Sequence, residues 1–321
     1  MLKVGVPDAV DRDLHRLLPD GISLELIPLR PAATVEVEFW IAPPWTHQAE
    51  QQLPFLRGLR VVQATVAGVD GLLKLMPPDV VLCDARGVHN ISTAEWTVAA
   101  ILASLKYFPL CGDLQRAGIW SRRKEAQDHY YALHPPVKQP YPNVLCEELH
   151  GQRVLIVGYG AIGRAIEDRL RPFGVDFVRV ARTARDGIYG IGSLPDLLPT
   201  ADIVVLIVPF TSETTSLIGA KELALMKQGA LLVNAARGPV VNTDALLAAL
   251  HSGRISAAID VTDPEPLPNG HPLWSAPNLL ITPHIASSTP MFMVRAMQFA
   301  ASQIARYLRG EPLENVVTGE Y

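Results

Sequence analysis

The fold is decided by residues 153–163, which read RVLIVGYGAIG and place three glycines directly after a β-branched apolar run. An apolar strand that ends in G-x-G-x-x-G and opens a helix is the fingerprint of a dinucleotide-binding turn. In such a turn the first glycine permits the tight bend, the second lets the backbone approach a pyrophosphate, and the third allows close packing of helix on strand. The alternative is a glycine-rich turn that binds nothing. Phosphate contacts are predicted from the glycine turn and from the free amides at the start of the following helix. These residues are Gly158, Gly160, Ala161, Ile162 and Gly163.

Strand and helix patterns continue on both sides of this stretch. Toward the C-terminus, apolar strands are predicted at 175–181, 203–208, 230–234, 255–261 and 279–282, with helices at 161–173, 220–226 and 243–252. Toward the N-terminus, further strands are predicted at 1–6, 35–42, 61–65 and 80–83. Strands that alternate with helices and are apolar throughout indicate parallel sheets covered on both faces. The predicted fold class is α/β, with two Rossmann-like αβα domains, doubly wound parallel sheets and an active-site cleft between the domains.

The length of 321 residues also indicates two domains. We predict a dinucleotide-binding domain at residues 98–287 and a substrate-binding domain at residues 1–97 plus 288–321. The spacing Ser92-Thr93-Ala94-Glu95 predicts a capping box that opens a connecting helix over 96–105. A second connecting helix is predicted over 289–308. Residues 121–147 are polar and carry four prolines, which indicates an ordered surface excursion or a lid.

Composition and charge exclude several classes of protein. Apolar residues make up 49% of the chain and charged residues 19%, so a large core can form and disorder is excluded. A net charge of −4 argues against nucleic acid or an anionic membrane as a partner. The longest apolar stretch, 203–210, is far shorter than the roughly 20 residues of a membrane span. The N-terminus lacks the long apolar region of a signal peptide, so we expect a cytoplasmic protein.

Cysteine and histidine spacing give no sign of a metal site. The three cysteines, Cys83, Cys111 and Cys146, form no C-x-x-C pair and are expected to be small core residues. None of the nine histidines stands in a metal-ligand spacing. We therefore expect no metal.

The strand after the glycine motif ends in cations. Arg182, Thr183 and Arg185 stand where an acidic residue would accept hydrogen bonds from the adenosine ribose, and the first carboxylate is Asp186. A guanidinium at this place pairs with a 2′-phosphate. The sequence thus predicts NADP(H) in preference to NAD(H). The alternative is an exposed arginine that stacks on adenine without a phosphate preference.

Three later segments carry catalytic residue types. They read NAARGPVVN at 234–242, DVTDPEPL at 260–267 and TPHIAS at 282–287, and each follows a predicted strand. Together with the glycine motif they resemble the D-isomer-specific 2-hydroxyacid dehydrogenase family over about residues 60–310. The resemblance implies reduction of a 2-oxo acid by a nicotinamide cofactor, in a homodimer.

The chemistry of that reaction explains the residue types. We expect Arg237 to hold the substrate carboxylate and carbonyl with its fixed fork of donors. His284 is expected to donate the proton to the carbonyl oxygen and to act as base in the reverse direction. Glu265 is expected to bond the other ring nitrogen and fix the tautomer. Taken singly, each residue also has an ordinary interpretation as an exposed or satisfied loop residue.

The resemblance implies further contacts around this triad. The amides of Ala67, Gly68 and Val69 are expected to face the substrate carboxylate, and Trp45 is a candidate wall of the pocket, although packing alone explains an aromatic there. The remaining cofactor contacts are expected to line the nicotinamide, at Thr97, Val208, Pro209, Ala235, Ala236, Arg237, Asp260, His284 and Ala286.

The resemblance points first to glyoxylate or hydroxypyruvate as the substrate, since no second phosphate or bulky-group site is apparent. One alternative is an NAD(P)-dependent dehydrogenase of a larger D-2-hydroxy acid. Another is a non-catalytic, nucleotide-sensing interaction protein of the same fold.

Overall fold

The computed structural model describes residues 1–134 and 145–319 and divides into two compact units. The first unit comprises Met1–Asn90 and Ser288–Tyr321, and the second comprises Ile91–Ser287. The first crossover therefore lies at 90/91, whereas the sequence places it at 97/98. The difference arises because one continuous helix begins at Asn90 and runs through the expected boundary.

The first unit is built on a five-stranded parallel sheet with the order β2-β1-β4-β6-β7, beside a small parallel pair of β3 with β5. The strands are β1 (Leu2–Pro7), β2 (Ile22–Ile27), β3 (Val35–Glu36), β4 (Phe39–Ile41), β5 (Leu56–Arg57), β6 (Val61–Gln63) and β7 (Val81–Cys83). The helices are α1 (Thr46–Gln52), α2 (Asp70–Leu73), the start of α3 (Asn90–Leu105), and the C-terminal α10 (Phe292–Leu308).

The predicted strand at 35–42 is divided between two sheets. The Val37 amide donates to the Arg57 carbonyl at 2.8 Å, while the next amide, that of Glu38, donates to the Lys3 carbonyl at 3.0 Å. The chain therefore stops pairing with β5 after Val37 and begins to pair with β1 of the five-stranded sheet at Glu38. An apolar run alone gives no sign of this exchange, because both halves are strand-like.

The second unit is built on a seven-stranded parallel sheet with the order β10-β9-β8-β11-β12-β13-β14. Its strands are β8 (Arg153–Val157), β9 (Asp176–Ala181), β10 (Tyr189–Gly190), β11 (Ile203–Leu206), β12 (Leu231–Asn234), β13 (Ser256–Ile259) and β14 (Leu279–Ile281). Its further helices are α4 (Phe108–Ala117), α5 (Lys124–Leu133), α6 (Ala161–Leu170), α7 (Leu194–Leu197), α8 (Ala220–Leu225) and α9 (Thr243–His251). From β8 the chain adds β9 and β10 on one side, and it then adds β11 to β14 on the other side. The order of the strands therefore reverses between β8 and β11, and ligands bind at the carboxyl ends of the strands at such a point.

Core packing explains why the strands are apolar throughout. On β8, Val154 and Ile156 belong to the core on one face of the sheet, and Leu155 and Val157 belong to the core on the other. All four side chains are fully buried. Both units thus have the predicted parallel α/β architecture, and the fold class is confirmed.

Other local predictions need correction. The predicted capping box is wrong, because Ser92 and Thr93 are buried inside α3, which begins two residues earlier. Part of the excursion at 121–147 is helical, in α5, and residues 135–144 lie outside the described residues. Cys83 is buried as predicted, but Cys111 and Cys146 are exposed.

Within residues 1–134 and 145–319, no single helix is long and apolar enough to cross a membrane. Helices α3 and α4 together have the length and composition of such a span, but the chain bends by 61° between them. In the same parts of the chain, no group of three or more His, Cys, Asp or Glu side chains is arranged to hold a metal ion.

Candidate active site

The glycine turn between β8 and α6 has the shape that a pyrophosphate needs. Gly158 has a φ of +107°, and a Cβ there would overlap the Ile207 carbonyl oxygen. A Cβ on Gly163 would lie 2.6 Å from the Gly158 oxygen. Gly160 differs, because a Cβ built on it meets no atom within 4 Å, and as the N-cap of α6 it leaves the first helical amides without a side-chain cap. The turn therefore presents open space and free amides, which fit a dinucleotide phosphate.

A charge cluster around one buried carboxylate anchors this turn, and the sequence patterns do not reveal it. The Glu167 carboxylate on α6, almost fully buried, accepts from the Tyr159 hydroxyl at 2.7 Å and from two nitrogens of Arg179 at 2.6 Å. Arg171 also donates to it at 2.6 Å. The hydrogen bonds from Arg179 lower the Glu167 pKa most, and those from Tyr159 add to them against the opposing effect of burial. The Arg185 guanidinium donates to the Tyr159 carbonyl at 3.0 Å, so the turn is tied to the loop after β9 as well.

Arg182, predicted to meet the 2′-phosphate, forms an ion pair in this structure. Its Nε lies 3.0 Å from Oε2 of Glu213, which belongs to the loop after β11. Both side chains are more than half exposed, and the neighbouring Thr183 is exposed too. The sequence shows the cation at the end of β9, but it gives no sign of this carboxylate from another loop.

Arg237, Glu265 and His284 follow three neighbouring strands, β12, β13 and β14, at the same edge of the sheet. The Nδ1 atom of His284 lies 2.5 Å from Oε1 of Glu265. Burial works to raise the Glu265 pKa, but the hydrogen bond and charge of His284, the Thr262 amide and the charge of Arg237 outweigh it, and the pKa is lowered. The structure thus brings an ionised carboxylate, an imidazole and a guanidinium into one electrostatic group.

The loop that carries Arg237 is fixed by its neighbours. The buried Asn234 accepts from the Ala236 amide and donates to the Arg237 carbonyl, both at 3.0 Å. A Cβ on Gly238 would overlap the Thr262 carbonyl, so this loop and the loop of Glu265 touch through their backbones. A glycine at 238 is therefore required for the two loops to meet.

Asp260 fixes the loop that carries His284. Its carboxylate accepts from the Thr282 hydroxyl at 2.6 Å and from the amides of Ile285 and Ala286 at 2.8 Å. His284 itself has a φ of +53°, and its amide donates to the Asp260 carbonyl at 2.7 Å. The resemblance assigns Asp260 to the nicotinamide carboxamide; these contacts add a positioning role that the sequence does not reveal.

The other predicted residues occupy varied places. In the first unit, the loop of Ala67, Gly68 and Val69 follows β6, and the half-exposed Trp45 follows the neighbouring strand β4. In the second unit, Val208 and Pro209 follow β11, and Ala235 and Ala236 follow β12. Thr97 is fully buried, and its hydroxyl donates to the Thr93 carbonyl within α3. It therefore presents no exposed atom to a cofactor.

The glycine turn and the acid–base group define a class, an α/β protein that uses a dinucleotide. Residues 98–286 match the sequence profile of the NAD binding domain of D-isomer specific 2-hydroxyacid dehydrogenase. A glyoxylate reductase from Aeropyrum pernix is 36% identical over 240 residues, which cover 73% of this chain and 68% of that protein.

Solved structures agree in fold over almost the whole chain. A D-isomer specific 2-hydroxyacid dehydrogenase from Xanthobacter autotrophicus Py2, in complex with NADPH and MES, is 30% identical with a TM-score of 0.72 over 98% of each chain. A family protein from Aeromonas salmonicida subsp. salmonicida A449 is 28% identical with a TM-score of 0.80 over 99% of each chain. The chain belongs to the D-isomer specific 2-hydroxyacid dehydrogenase family.

Proposed function

We propose that this protein is an NADP(H)-dependent reductase of small 2-oxo acids that yields D-2-hydroxy acids. The observation that carries the proposal is the His284–Glu265 hydrogen bond beside Arg237, at the carboxyl edge of a sheet whose glycine turn fits a dinucleotide. Family membership and the glyoxylate reductase relative support the same reaction.

The chain's own residues supply binding and a proton. Arg237 provides a planar fork of donors that suits a carboxylate and the adjacent carbonyl oxygen. Glu265 accepts the proton of Nδ1 and so fixes the tautomer and the ring plane. The transferable proton is then on Nε2 of the protonated imidazole, which passes it to the oxygen as negative charge develops there. When bound, the reduced nicotinamide supplies the hydride.

The cofactor contacts are the turn of Gly158, Gly160 and Gly163, with Ala161 and Ile162 at the start of α6. Arg182, Thr183 and Arg185 favour the 2′-phosphate of NADP(H), and the NADPH in the Xanthobacter relative supports this preference. Asp260 and the loops after β11, β12 and β14 are assigned to the nicotinamide. Ala67, Gly68, Val69 and Trp45 are assigned to the substrate. A homodimer and a cytoplasmic location remain predictions.

The test is a panel of 2-oxo acids with NADPH and NADH, in which oxidation of the cofactor is followed by absorbance. Glyoxylate or hydroxypyruvate with NADPH should give the highest kcat/KM, and His284→Ala should lower kcat by roughly 10²–10⁴-fold. A higher value with a bulkier acid would favour the larger-substrate alternative. No cofactor oxidation with any acid, while NADPH still binds, would favour a nucleotide-sensing protein.

A further inference from the structure

We propose that Glu213 limits the preference for NADP(H), by opposing the 2′-phosphate at Arg182. This inference rests on the proposed function, in which Arg182 receives that phosphate. The Nε atom of Arg182 lies 3.0 Å from Oε2 of Glu213 in this ion pair. A 2′-phosphate must therefore displace the carboxylate or share the guanidinium with it.

The loop of Glu213 is well fixed, so the carboxylate is held near Arg182. The Thr214 hydroxyl accepts from the Thr211 amide and donates to the Pro209 carbonyl, both at 2.8 Å. The Thr215 hydroxyl donates to the Thr211 carbonyl at 2.9 Å. These bonds tie the turn from Pro209 to Thr215 to itself, and Glu213 lies within it.

Charge decides which cofactor this carboxylate disfavours. The 2′-phosphate of NADP(H) carries roughly −1.5 to −2 charges near neutral pH, whereas NAD(H) presents a neutral hydroxyl at the same carbon. Glu213 therefore repels the 2′-phosphate of NADP(H) and competes with it for Arg182. The neutral 2′-hydroxyl of NAD(H) meets neither effect. The residue limits a preference that Arg182 creates.

Exposure sets the size of the effect. The two side chains are 62% and 65% exposed, and an exposed ion pair shifts an equilibrium by only about 1.4- to 5-fold. Removing the Glu213 charge should therefore raise the preference for a 2′-phosphate by about 1.4- to 5-fold. This change is small but measurable by titration.

The test uses Glu213→Gln and two probes, adenosine 2′,5′-bisphosphate and adenosine 5′-monophosphate, whose Kd values are measured by calorimetry on the full chain. The ratio of the two Kd values should favour the bisphosphate about 1.4- to 5-fold more than in the wild type. The matched control is Glu311→Gln, which removes the same charge from an exposed pair with Arg309 in the first unit. It should leave the ratio unchanged.

Two further outcomes separate the inference from the proposed function. In an Arg182→Gln background, Glu213→Gln should raise the ratio less than it does in the wild type, because only the direct repulsion of the 2′-phosphate remains to be removed. An equal gain there, or an unchanged ratio in the single variant, would overturn the role of Glu213. A wild type that binds both probes equally well would instead overturn the NADP(H) preference, whatever Glu213→Gln does.

Discussion

Gly160→Ala separates cofactor binding from folding at the glycine turn. A Cβ at this position meets no atom within 4 Å, and the residue has an extended backbone with a φ of −94°. The substitution therefore costs the fold nothing by contact. A glycine-to-alanine change in a compatible conformation stabilises a protein by about 0.4–1 kcal/mol, because it restricts the unfolded chain.

Cofactor binding should respond in the opposite direction. If the pyrophosphate approaches the backbone at Gly160, the added methyl group occupies part of its space. Overpacking by such a group costs about 1–3 kcal/mol, which corresponds to roughly 5- to 150-fold in Kd. Because both cofactors share the pyrophosphate, the loss should be similar for NADPH and NADH.

The assay pairs thermal unfolding with calorimetric titration of both cofactors. Gly192→Ala is the matched control, since its Cβ also meets no atom within 4 Å and it stands in the same unit, in the turn Ile191–Ser193. It should raise Tm without changing either Kd. Cofactor binding by Gly160→Ala within about twofold of the wild type would show that the pyrophosphate does not approach this glycine.

Two further predictions concern carboxylates. Glu265→Gln should lower kcat by about 10- to 100-fold, less than the roughly 10²–10⁴-fold of the acid itself, because the His284 ring loses the carboxylate that orients it. A kcat equal to that of the wild type would count against the pairing with His284. Glu167→Gln should destabilise the protein by about 1–3 kcal/mol, since it removes the buried carboxylate that accepts hydrogen bonds from Arg179 and Arg171. Because folding lowers the Glu167 pKa, the ionised Glu167 contributes its full stabilisation above the ordinary pKa of a glutamate. That stabilisation is lost as the pH falls through the pKa of Glu167 in the folded protein. Thermal unfolding should therefore show that the difference in stability between Glu167→Gln and the wild type becomes smaller as the pH is lowered. The control is Glu95→Gln, which removes an exposed partner of Arg169 and should change stability by at most about 0.5 kcal/mol. A difference for Glu167→Gln that stays constant with pH would refute the linkage.

The sequence predicted the second unit best, for a physical reason. Parallel strands buried on both faces are apolar at every position, so β8 and β11 are visible as continuous runs without knowledge of their neighbours. The glycines of the turn are equally legible, because Gly158 and Gly163 lie where a Cβ would meet backbone atoms. Arg237, Glu265 and His284 follow strand ends, and the sheet brings such ends to one edge.

What the sequence could not supply depends on contacts between distant segments. The pairing of Arg182 with Glu213 joins residues 31 positions apart, and no periodicity relates them. Glu167 stands on a helix whose polar residues are usually exposed, so its burial follows from Arg179 on the adjacent strand and not from its own neighbours in sequence. The start of α3 at Asn90 likewise reflects the burial of Ser92 and Thr93, which overrides their tendency to cap a helix.

The position of the His284 imidazole follows from the same kind of contact. A non-glycine residue at a φ of +53° costs about 1–3 kcal/mol and persists only where its surroundings impose it. At His284 they do so through Asp260, whose carbonyl accepts the His284 amide and whose carboxylate accepts the next two amides. Hydrogen bonds to a charged group contribute about 1.5–3 kcal/mol each, so two of them offset the strain. Asp260 and Glu265 both follow β13, whereas His284 follows β14. The backbone and the ring of the proposed acid are therefore both oriented by the loop of the neighbouring strand.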